Sequence, residues 1–467
     1  MHSVNSIINR IKNIFVVIFA LLVYSTTQAQ ENSPYSRYGL GDLISGQNIT
    51  NRAMGGFSAA YSDYGLVGSP FNINIANPAS LGSLSNTKNF SNTIFDLGGE
   101  INSRTLKSNL NGQKYTSSNV AISYLQVAFP ISTPKMEKKG VTWGASFGLK
   151  PLTRISYKIE KNSRINNIDS LNTLYEGTGG LNQVNLSTGI RKIGKGSHKN
   201  EFSFGVSSGF NFGNKSISTR TSFLSDTTIY AKGNEELKST FGGVFLNAGM
   251  QYEFHIKNGG NLRLGAYANF QQKLKANQST INETFGYDGS GAVITIDSVS
   301  TIKDVKGKIV IPATYVAGFT YQTKNKQWLF GADFETSDWT AFRYYNESDK
   351  TTNSWVVKAG AEFYPAKFNA ASNKYWNYIK YRAGFYYGTT PVKTDNLRNR
   401  SAFTFGAGMP LTTPRQIQNR GEYVALNTSI EIGTIGNAGT TGLKENSFRI
   451  NFGISMNARW FQKRSYD

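Results

Sequence analysis

The stretch FRINFGISMN, residues 448–457, decides the fold class of this 467-residue chain. Every second residue from Phe448 to Met456 is apolar, and the residues between them, from Arg449 to Asn457, are polar or glycine. Successive side chains of a β-strand point to opposite faces of the sheet. The alternation therefore predicts a strand with one apolar face and one polar face.

The same alternation recurs in fourteen segments, and an even number is what a closed single-chain antiparallel barrel requires. Most segments have the roughly 9–11 residues that a tilted transmembrane strand needs. In the second segment, Tyr124-Leu125 breaks the alternation, which indicates a β-bulge. The sequence predicts an all-β protein, a transmembrane antiparallel β-barrel of about 14 strands. The predicted strands lie near residues 89–103, 119–130, 141–158, 181–192, 201–214, 241–255, 261–274, 306–321, 327–343, 354–364, 378–390, 401–410, 422–435 and 446–461.

The connections between these segments alternate in length. Links on one side are short, such as IGKGSHKN at 193–200. The links at 159–180, 215–240 and 275–305 are long and rich in Ser, Thr, Asn and charge. Outer-membrane barrels have short periplasmic turns and longer outer loops, so we predict that the long links face outward.

Aromatic residues cluster near the predicted strand ends, which is typical of the girdles that mark the two membrane interfaces. Ordinary core packing is the alternative interpretation of these residues. The predicted girdle residues are Trp328, Trp339, Phe342, Tyr344, Tyr345, Trp376, Tyr378, Trp460 and Phe461.

The N-terminus has the pattern of an export signal. Arg10 and Lys12 precede an apolar stretch at 14–24, and Thr27 and Ala29 supply small residues before a cleavage site. The apolar stretch is shorter than the roughly 20 residues needed to span a membrane as a helix. We predict that residues 1–29 are a cleaved signal peptide and that the protein resides in the bacterial outer membrane.

The chain carries a formal net charge of +21 and contains no cysteine. Export keeps the protein away from nucleic acid, so we predict that the basic residues face outer-membrane lipid headgroups and lipopolysaccharide. Without cysteine, the chain has neither a lipoprotein anchor nor a disulfide framework.

The sequence predicts no enzymatic activity. Beyond the signal, two histidines remain, His198 and His255, and both fall in predicted periplasmic turns. Separated in this way, they cannot join a catalytic set or a zinc-type cluster. We therefore predict no catalytic residues, no metal ligands and no cofactor.

Residues 30–88 do not alternate and are rich in Gly, Ser, Asn and Ala. A barrel of about 14 strands encloses a lumen too wide for its own side chains to fill. We predict that residues 30–88 form an N-terminal hatch, or plug, in the lumen and that residues 89–467 form the barrel. A disordered periplasmic tail is the alternative interpretation.

Two motifs of this segment, AMGG at 53–56 and NPASL at 77–81, resemble the N-terminal hatch signature of the FadL-type long-chain fatty-acid transporters. Members of that family are fourteen-stranded outer-membrane barrels with a hatch, and relatives handle aromatic hydrocarbons. One divergent branch includes barrel subunits of a protein secretion system. The resemblance implies that the hatch-motif residues are Gly55, Gly56, Asn77, Pro78 and Ala79.

In that family a kinked third strand makes a lateral exit into the membrane. The resemblance makes Pro151, in the predicted third strand, the candidate kink, since proline removes a donor from the strand ladder. Pro312 in the predicted eighth strand is a second proline of this kind. Candidate contacts of the plug with a ligand are Phe57, Tyr61 and Phe71, unless they merely pack the plug against the wall.

Two functions remain open on the sequence alone. The first is a channel for hydrophobic, fatty-acid-like small molecules, whose bound partner would be a hydrophobic ligand or detergent. The alternative is a non-catalytic barrel subunit of a multi-protein outer-membrane assembly or protein secretion complex, with other outer-membrane proteins or lipoproteins as partners. The inward positions are mostly Ser, Asn, Thr, Gly and Lys, which weakens the fatty-acid interpretation.

Overall fold

The structure is a computed structural model, and its barrel consists of fourteen antiparallel strands. They are β1 (Thr93–Ser108), β2 (Lys114–Pro130), β3 (Val141–Arg164), β4 (Ser170–Ile193), β5 (Glu201–Leu224), β6 (Lys232–His255), β7 (Asn261–Asn269, continued by Gln272–Tyr287), β8 (Val293–Ile311, continued by Thr314–Gln322), β9 (Trp328–Ser337), β10 (Ser354–Phe363), β11 (Lys380–Lys393), β12 (Leu397–Pro410), β13 (Val424–Ile435) and β14 (Leu443–Ala458). The residues described are 33–63, 72–84, 93–108, 112, 114–166, 168–194, 200–225, 228, 230–256, 259–290, 293–366, 374–393, 396–412 and 423–458.

The barrel closes between its first and last strands. β14 pairs with β1 from Leu443 opposite Ser108 to Ala458 opposite Thr93, and the other strands pair with their neighbours in chain order. The predicted fold class is confirmed, and each predicted segment corresponds to one strand. The predicted bulge in β2 is also present, because the register against β1 shifts and leaves Ser123 as the extra residue.

The two faces of the sheet have opposite polarity. Large apolar side chains such as Phe204, Leu264 and Phe405 are 45%, 46% and 51% exposed, while polar ones such as Asn451 and Ser203 on the other face are buried. A protein surrounded by water would bury the apolar face. An apolar outer surface on a closed barrel is the arrangement that lipid stabilises.

The prediction of long outward links is wrong. Strands β3 to β8 continue through most of the sequence predicted as links, and the turns that join them are short. Alternation marks a strand only where its two faces meet different surroundings, and both faces of these extensions meet water. The turns that join β3 to β4, β5 to β6 and β7 to β8 span 165–169, 225–231 and 288–292, respectively.

The girdle prediction is wrong for two of its residues. Trp339 begins a 3-10 turn, Trp339–Ala341, and both Trp339 and Phe342 are buried in an apolar cluster with Leu40 and Phe241. Trp328 and Trp376 remain exposed, at 41% and 60%. Trp460 and Phe461 lie outside the described residues.

The remaining elements are short. None of the helices among the described residues is long and apolar enough to cross a membrane. The links between barrel strands contain a helix (Pro134–Lys138), a two-residue strand (Arg343–Tyr344), a 3-10 turn (Tyr375–Tyr378) and a helix (Ala438–Thr441). The segment before the barrel contains a 3-10 turn (Pro34–Arg37), a strand (Asp42–Leu43), a helix (Ile49–Arg52) and a 3-10 turn (Pro78–Ser83).

The described part of this N-terminal segment, residues 33–63 and 72–84, contacts the polar face of strands far apart around the barrel. Arg52 donates hydrogen bonds to Glu100 in β1 (2.8 Å) and Asn451 in β14 (3.0 Å). The backbone N–H of Ser58 donates to Asp333 in β9 (2.6 Å). The segment therefore lies between these strands. The predicted signal peptide, residues 1–29, lies outside the described residues.

Candidate functional site

The AMGG motif follows a short capped helix. The Asn48 side chain accepts a hydrogen bond from the backbone N–H of Asn51 (2.9 Å) and so caps the helix Ile49–Arg52. Gly55 and Gly56 then have φ angles of +73° and +86°, in the left-handed region that glycine adopts without strain. These two residues turn the chain back toward β9.

Gly55 is also required by its surroundings. A Cβ atom at this position would lie 2.6 Å from the carbonyl oxygens of Ala359 in β10 and Phe385 in β11. The Gly55 N–H donates to the Thr404 hydroxyl in β12 (2.8 Å). Gly56 has no such close neighbour, so its positive φ alone accounts for the glycine.

The NPASL motif joins the two described parts of the N-terminal segment. Asn77 accepts a hydrogen bond from the Ala79 N–H (3.0 Å) and donates from Nδ2 to the Ala59 carbonyl (2.6 Å). Pro78 occupies the first position of the turn Pro78–Ser83, where proline's missing N–H costs nothing. Ala79 is fully buried. The motif residues thus act as packing and capping residues of this segment.

A ring of inward glycines, which we name the glycine belt, supports the segment. A Cβ atom on Gly205 would lie 2.4 Å from the Pro78 carbonyl carbon, and one on Gly265 would lie 2.1 Å from the Ala59 oxygen. Many belt glycines pair directly with one another in the ladder. Gly205, for example, pairs with Gly189 of β4 and with Gly249 of β6. Sequence reasoning missed the belt, although its signal is glycine at the inward positions of strand after strand. The belt consists of Gly98, Gly144, Gly189, Gly205, Gly249, Gly265, Gly331, Gly360, Gly384, Gly406 and Gly453.

Of the candidate ligand contacts of the plug, the two that lie among the described residues are buried. Phe57 is fully buried, with its ring against the belt glycine Gly331, and its centroid lies 6.3 Å from that of Tyr61. Burial, and then the charge of Asp63, raise the pKa of Tyr61 well above its usual value, so its phenol stays protonated. Phe71 lies outside the described residues.

Pro151 lies where two ladders separate. β2 and β3 pair only from Pro130 opposite Gly144 to Leu125 opposite Leu149. From Lys150 onward, no described residue of β2 pairs with β3, and we name this break the β2–β3 gap. Beside Pro151, the register of β3 against β4 also shifts. Pro312 separates the two parts of β8. Val293–Ile311 pairs with Gln272–Tyr287 of β7, and Thr314–Gln322 pairs with Asn261–Asn269 of β7.

The short strand of the N-terminal segment lies in the β2–β3 gap. Asp42 and Leu43 pair with Arg154 and Thr153 of β3, on the edge that β2 leaves unpaired. The Thr153 hydroxyl also donates to the Leu40 carbonyl (2.6 Å). The edge of β3 is therefore covered at this point by the chain's own N-terminal segment.

A cavity of about 300 Å³ opens beside this strand. Lys150, Leu152 and Thr153 line it from the unpaired edge of β3, so the cavity borders the β2–β3 gap. Leu40 and Trp339 add apolar surface. Charged side chains of several strands also line it, among neutral polar and apolar ones.

The charged lining is a set of ion pairs that join separate strands. Arg104 of β1 binds Asp42 (2.7 Å) and Glu445 of β14 (2.9 Å). Arg449 binds Glu431 of β13 at 3.0 Å. Sequence reasoning missed these pairs because each joins residues on different strands, and the partners become neighbours only once the register is formed.

No metal centre was found in the described part of the chain. It contains no group of three or more His, Cys, Asp or Glu side chains positioned to hold an ion. His255 lies 3.6 Å from Glu253 at the end of β6, and His198 lies outside the described residues.

A closed fourteen-stranded barrel with an apolar outer face and a charged interior defines a β-barrel of the outer-membrane type. The chain belongs to the BamG family, since a family model of that description matches residues 10–467. No curated protein sequence matches the chain.

Solved structures similar to this one include a hydrocarbon channel and a FadL homologue. A variant of the monoaromatic hydrocarbon channel TodX has 16% sequence identity and a TM-score of 0.51, with 89% of this chain and 99% of that chain covered. A FadL homologue of Pseudomonas aeruginosa has 11% identity and a TM-score of 0.50, with 91% and 100% covered. At these identities the similarity establishes the fold.

Proposed function

We propose that this protein is an outer-membrane channel that takes up hydrophobic, fatty-acid-like small molecules and releases them sideways into the membrane. In this proposal the N-terminal segment is the hatch that closes the lumen. The observation that carries the proposal is that the lumenal cavity borders the β2–β3 gap through Lys150, Leu152 and Thr153.

The surroundings of the gap suit an apolar solute. Ile122 and Leu125 of β2 and Leu149 of β3 are 68%, 48% and 42% exposed, and Leu43 of the short strand is 38% exposed. A solute leaving the cavity between β2 and β3 would therefore meet apolar side chains and then lipid. Water-soluble solutes gain nothing from such a path, because it offers them few hydrogen-bond partners.

The short strand Asp42–Leu43 of the hatch would close this path, and we name it the latch. The pairing of Asp42-Leu43 with β3 and the ion pair of Asp42 with Arg104 hold the short strand across the gap. The two residues of this strand are half-buried and exposed, whereas the helix Ile49–Arg52 behind it is completely buried. We infer that the short strand moves during passage and that the rest of the hatch stays seated.

The experiment is to lock this strand reversibly. The chain has no cysteine, so Leu43→Cys with Thr153→Cys introduces a single disulfide between Cα partners of an antiparallel pair. Cells expressing the double variant are assayed for uptake of a fluorescent long-chain fatty acid. We expect uptake to fall to the level of cells lacking the protein when the disulfide is formed, and to return on reduction.

Thr105→Cys with Thr116→Cys is the matched control, because these residues are partners in the closed ladder between β1 and β2. Its disulfide should leave uptake unchanged. Equal uptake by the locked and reduced forms of the Leu43–Thr153 variant would exclude lateral release past this strand.

A second candidate function is a subunit of an outer-membrane assembly. Strands β3 to β8 extend beyond the apolar band. The last of them in sheet order, β8, has an unpaired edge there. No described residue pairs with the free side of β8 between Val293 and Asp304, where Ile296 and Val299 are 69% and 70% exposed. An exposed edge with apolar side chains is a ready site for protein association.

Native mass spectrometry of the detergent-extracted protein separates the two candidates. A bound lipid-like ligand supports the channel, and a stable complex with another membrane protein or lipoprotein supports the subunit. If the β8 edge carries the association, Ile296→Ser with Val299→Ser should remove the partner and leave uptake unchanged.

A further inference from the structure

The charges that line the cavity do not balance. Seven cationic and four anionic side chains face it. All four carboxylates, Asp42, Glu335, Glu431 and Glu445, already have a cationic partner within 3.0 Å. Positive charge is therefore in excess along the lining of this cavity.

Arg400 contributes most clearly to this excess. It lies on β12 two positions after Arg398, so both side chains point to the inner face. Arg398 is fixed, because it pairs with Glu445 and stacks on the Tyr35 ring with 3.4 Å between guanidinium carbon and ring centroid. Among the described residues Arg400 has no ion pair, and its Nε is buried without a hydrogen-bond partner.

Lys150 is the second cation without a carboxylate partner in the described part of the chain. It lines the same cavity from β3, and its amine donates only a long hydrogen bond, 3.5 Å, to the Gly46 carbonyl. Lys150 is half-buried, so it has lost part of its hydration without gaining a carboxylate partner, and an anion in the cavity would offset that cost.

We propose that Arg400 anchors a lumenal binding site for a small oxyanion, a carboxylate or phosphate group on a water-soluble molecule. The planar guanidinium carries two Nη groups whose N–H bonds form a fork that matches two oxygens of such a group. Lys150 adds positive potential without direct contact being required, whereas the charge of Arg398 is matched by Glu445. The site goes beyond the proposed function, since it requires neither passage through the β2–β3 gap nor movement of the latch.

The cavity volume limits the ligand. About 300 Å³ is at the lower end of the range for small-molecule sites, so the molecule that carries the oxyanion must be small.

The test is anion binding by the full-length protein in detergent, measured by isothermal titration calorimetry and by the shift in unfolding temperature. Inorganic phosphate and acetate are titrated separately, with chloride added to constant ionic strength. We expect saturable binding of at least one of them, weakened by about tenfold or more in Arg400→Gln, which is about 1.4 kcal/mol. Arg400→Lys should bind more weakly than the native protein but more tightly than Arg400→Gln, because it keeps the charge and loses the fork.

Arg220→Gln is the matched control, since Arg220 pairs with Glu176 on the strand extensions away from the cavity. It should leave binding unchanged. Binding of phosphate alone or of acetate alone assigns the ligand group. Absence of binding by both anions, or equal binding by native and Arg400→Gln protein, overturns the proposal. If Arg400→Gln does not fold, the ratio between native protein and Arg400→Lys carries the test.

Discussion

Replacing a belt glycine with a β-branched residue should open the barrel without unfolding it. Gly205 is the position of choice, because it lies in the middle of the belt and faces the turn Pro78–Ser83. Valine is a good strand former, so Gly205→Val should not weaken the ladders of β5 with β4 and β6. The new side chain would instead press on the N-terminal segment.

The magnitude follows from the contacts. The first added atom, Cβ, would lie 2.4 Å from the Pro78 carbonyl carbon and 2.5 Å from the Ala79 nitrogen. These are backbone atoms, so no side chain can rotate away, and the turn must move by about 1 Å or more to reach ordinary van der Waals distance. Overpacking of this kind costs about 1–3 kcal/mol. The turn is buried against the wall, where the Thr142 hydroxyl donates to the Gly82 carbonyl, so a shift of this size must also break contacts with β3 and β4. We therefore expect the turn to leave the wall.

The assay is ion conductance in planar bilayers. Native protein should be nearly silent and Gly205→Val should conduct, while both show the heat-dependent gel mobility of a folded barrel. Gly286→Val is the control, because a Cβ there meets only isoleucine side-chain atoms, at 3.4 Å and beyond, on the strand extension. A folded Gly205→Val barrel that conducts no better than the control would refute the idea that the segment closes the lumen.

Three further predictions follow from the same structure. Leu264→Arg should cost about 2–4 kcal/mol of barrel stability in denaturant titrations if it lies near the bilayer midplane, while Val299→Arg on the extension should cost little. A protease tag at Gly289 should be reached from outside intact cells and one at Lys324 should not, and the reverse pattern would invert the barrel. Asn77→Ala removes a cap worth about 0.5–2 kcal/mol, so it should speed hydrogen exchange in the turn Pro78–Ser83 without opening the pore.

The membrane-facing wall could be predicted because lipid imposes a strict alternation on every strand that crosses it. Phe204, Leu264 and Ile450 are apolar at every second position for the same physical reason, so strand number and register parity follow from counting. The same rule explains why the extensions of β3 to β8 were predicted as links and not as strands. Where Ser216 and Thr219 of β5 both meet water, a strand and a loop have similar composition.

One inward position shows that strand parity does not predict which substitutions the lumen tolerates. Asn451 follows the alternation of β14 as a polar residue, and the pattern alone indicates a site that tolerates a charge such as arginine. In the structure Asn451 is fully buried and accepts a hydrogen bond from Arg52, so a second cation there would lie against the first. The cost depends on a residue almost 400 positions earlier in the chain, which strand parity does not report.

The glycine belt shows what additional information the sequence holds about the lumen. Glycine is a poor residue for an isolated strand, because it packs nothing and loses the most backbone entropy on folding. Gly144, Gly189, Gly205 and Gly249 nevertheless occupy consecutive partner positions on β3 to β6. The cost is offset only if another backbone must approach the wall at that level. Inward glycines that align once the predicted strands are paired therefore indicate a segment lying against the wall and the height at which it lies, even where that segment has no pattern of its own.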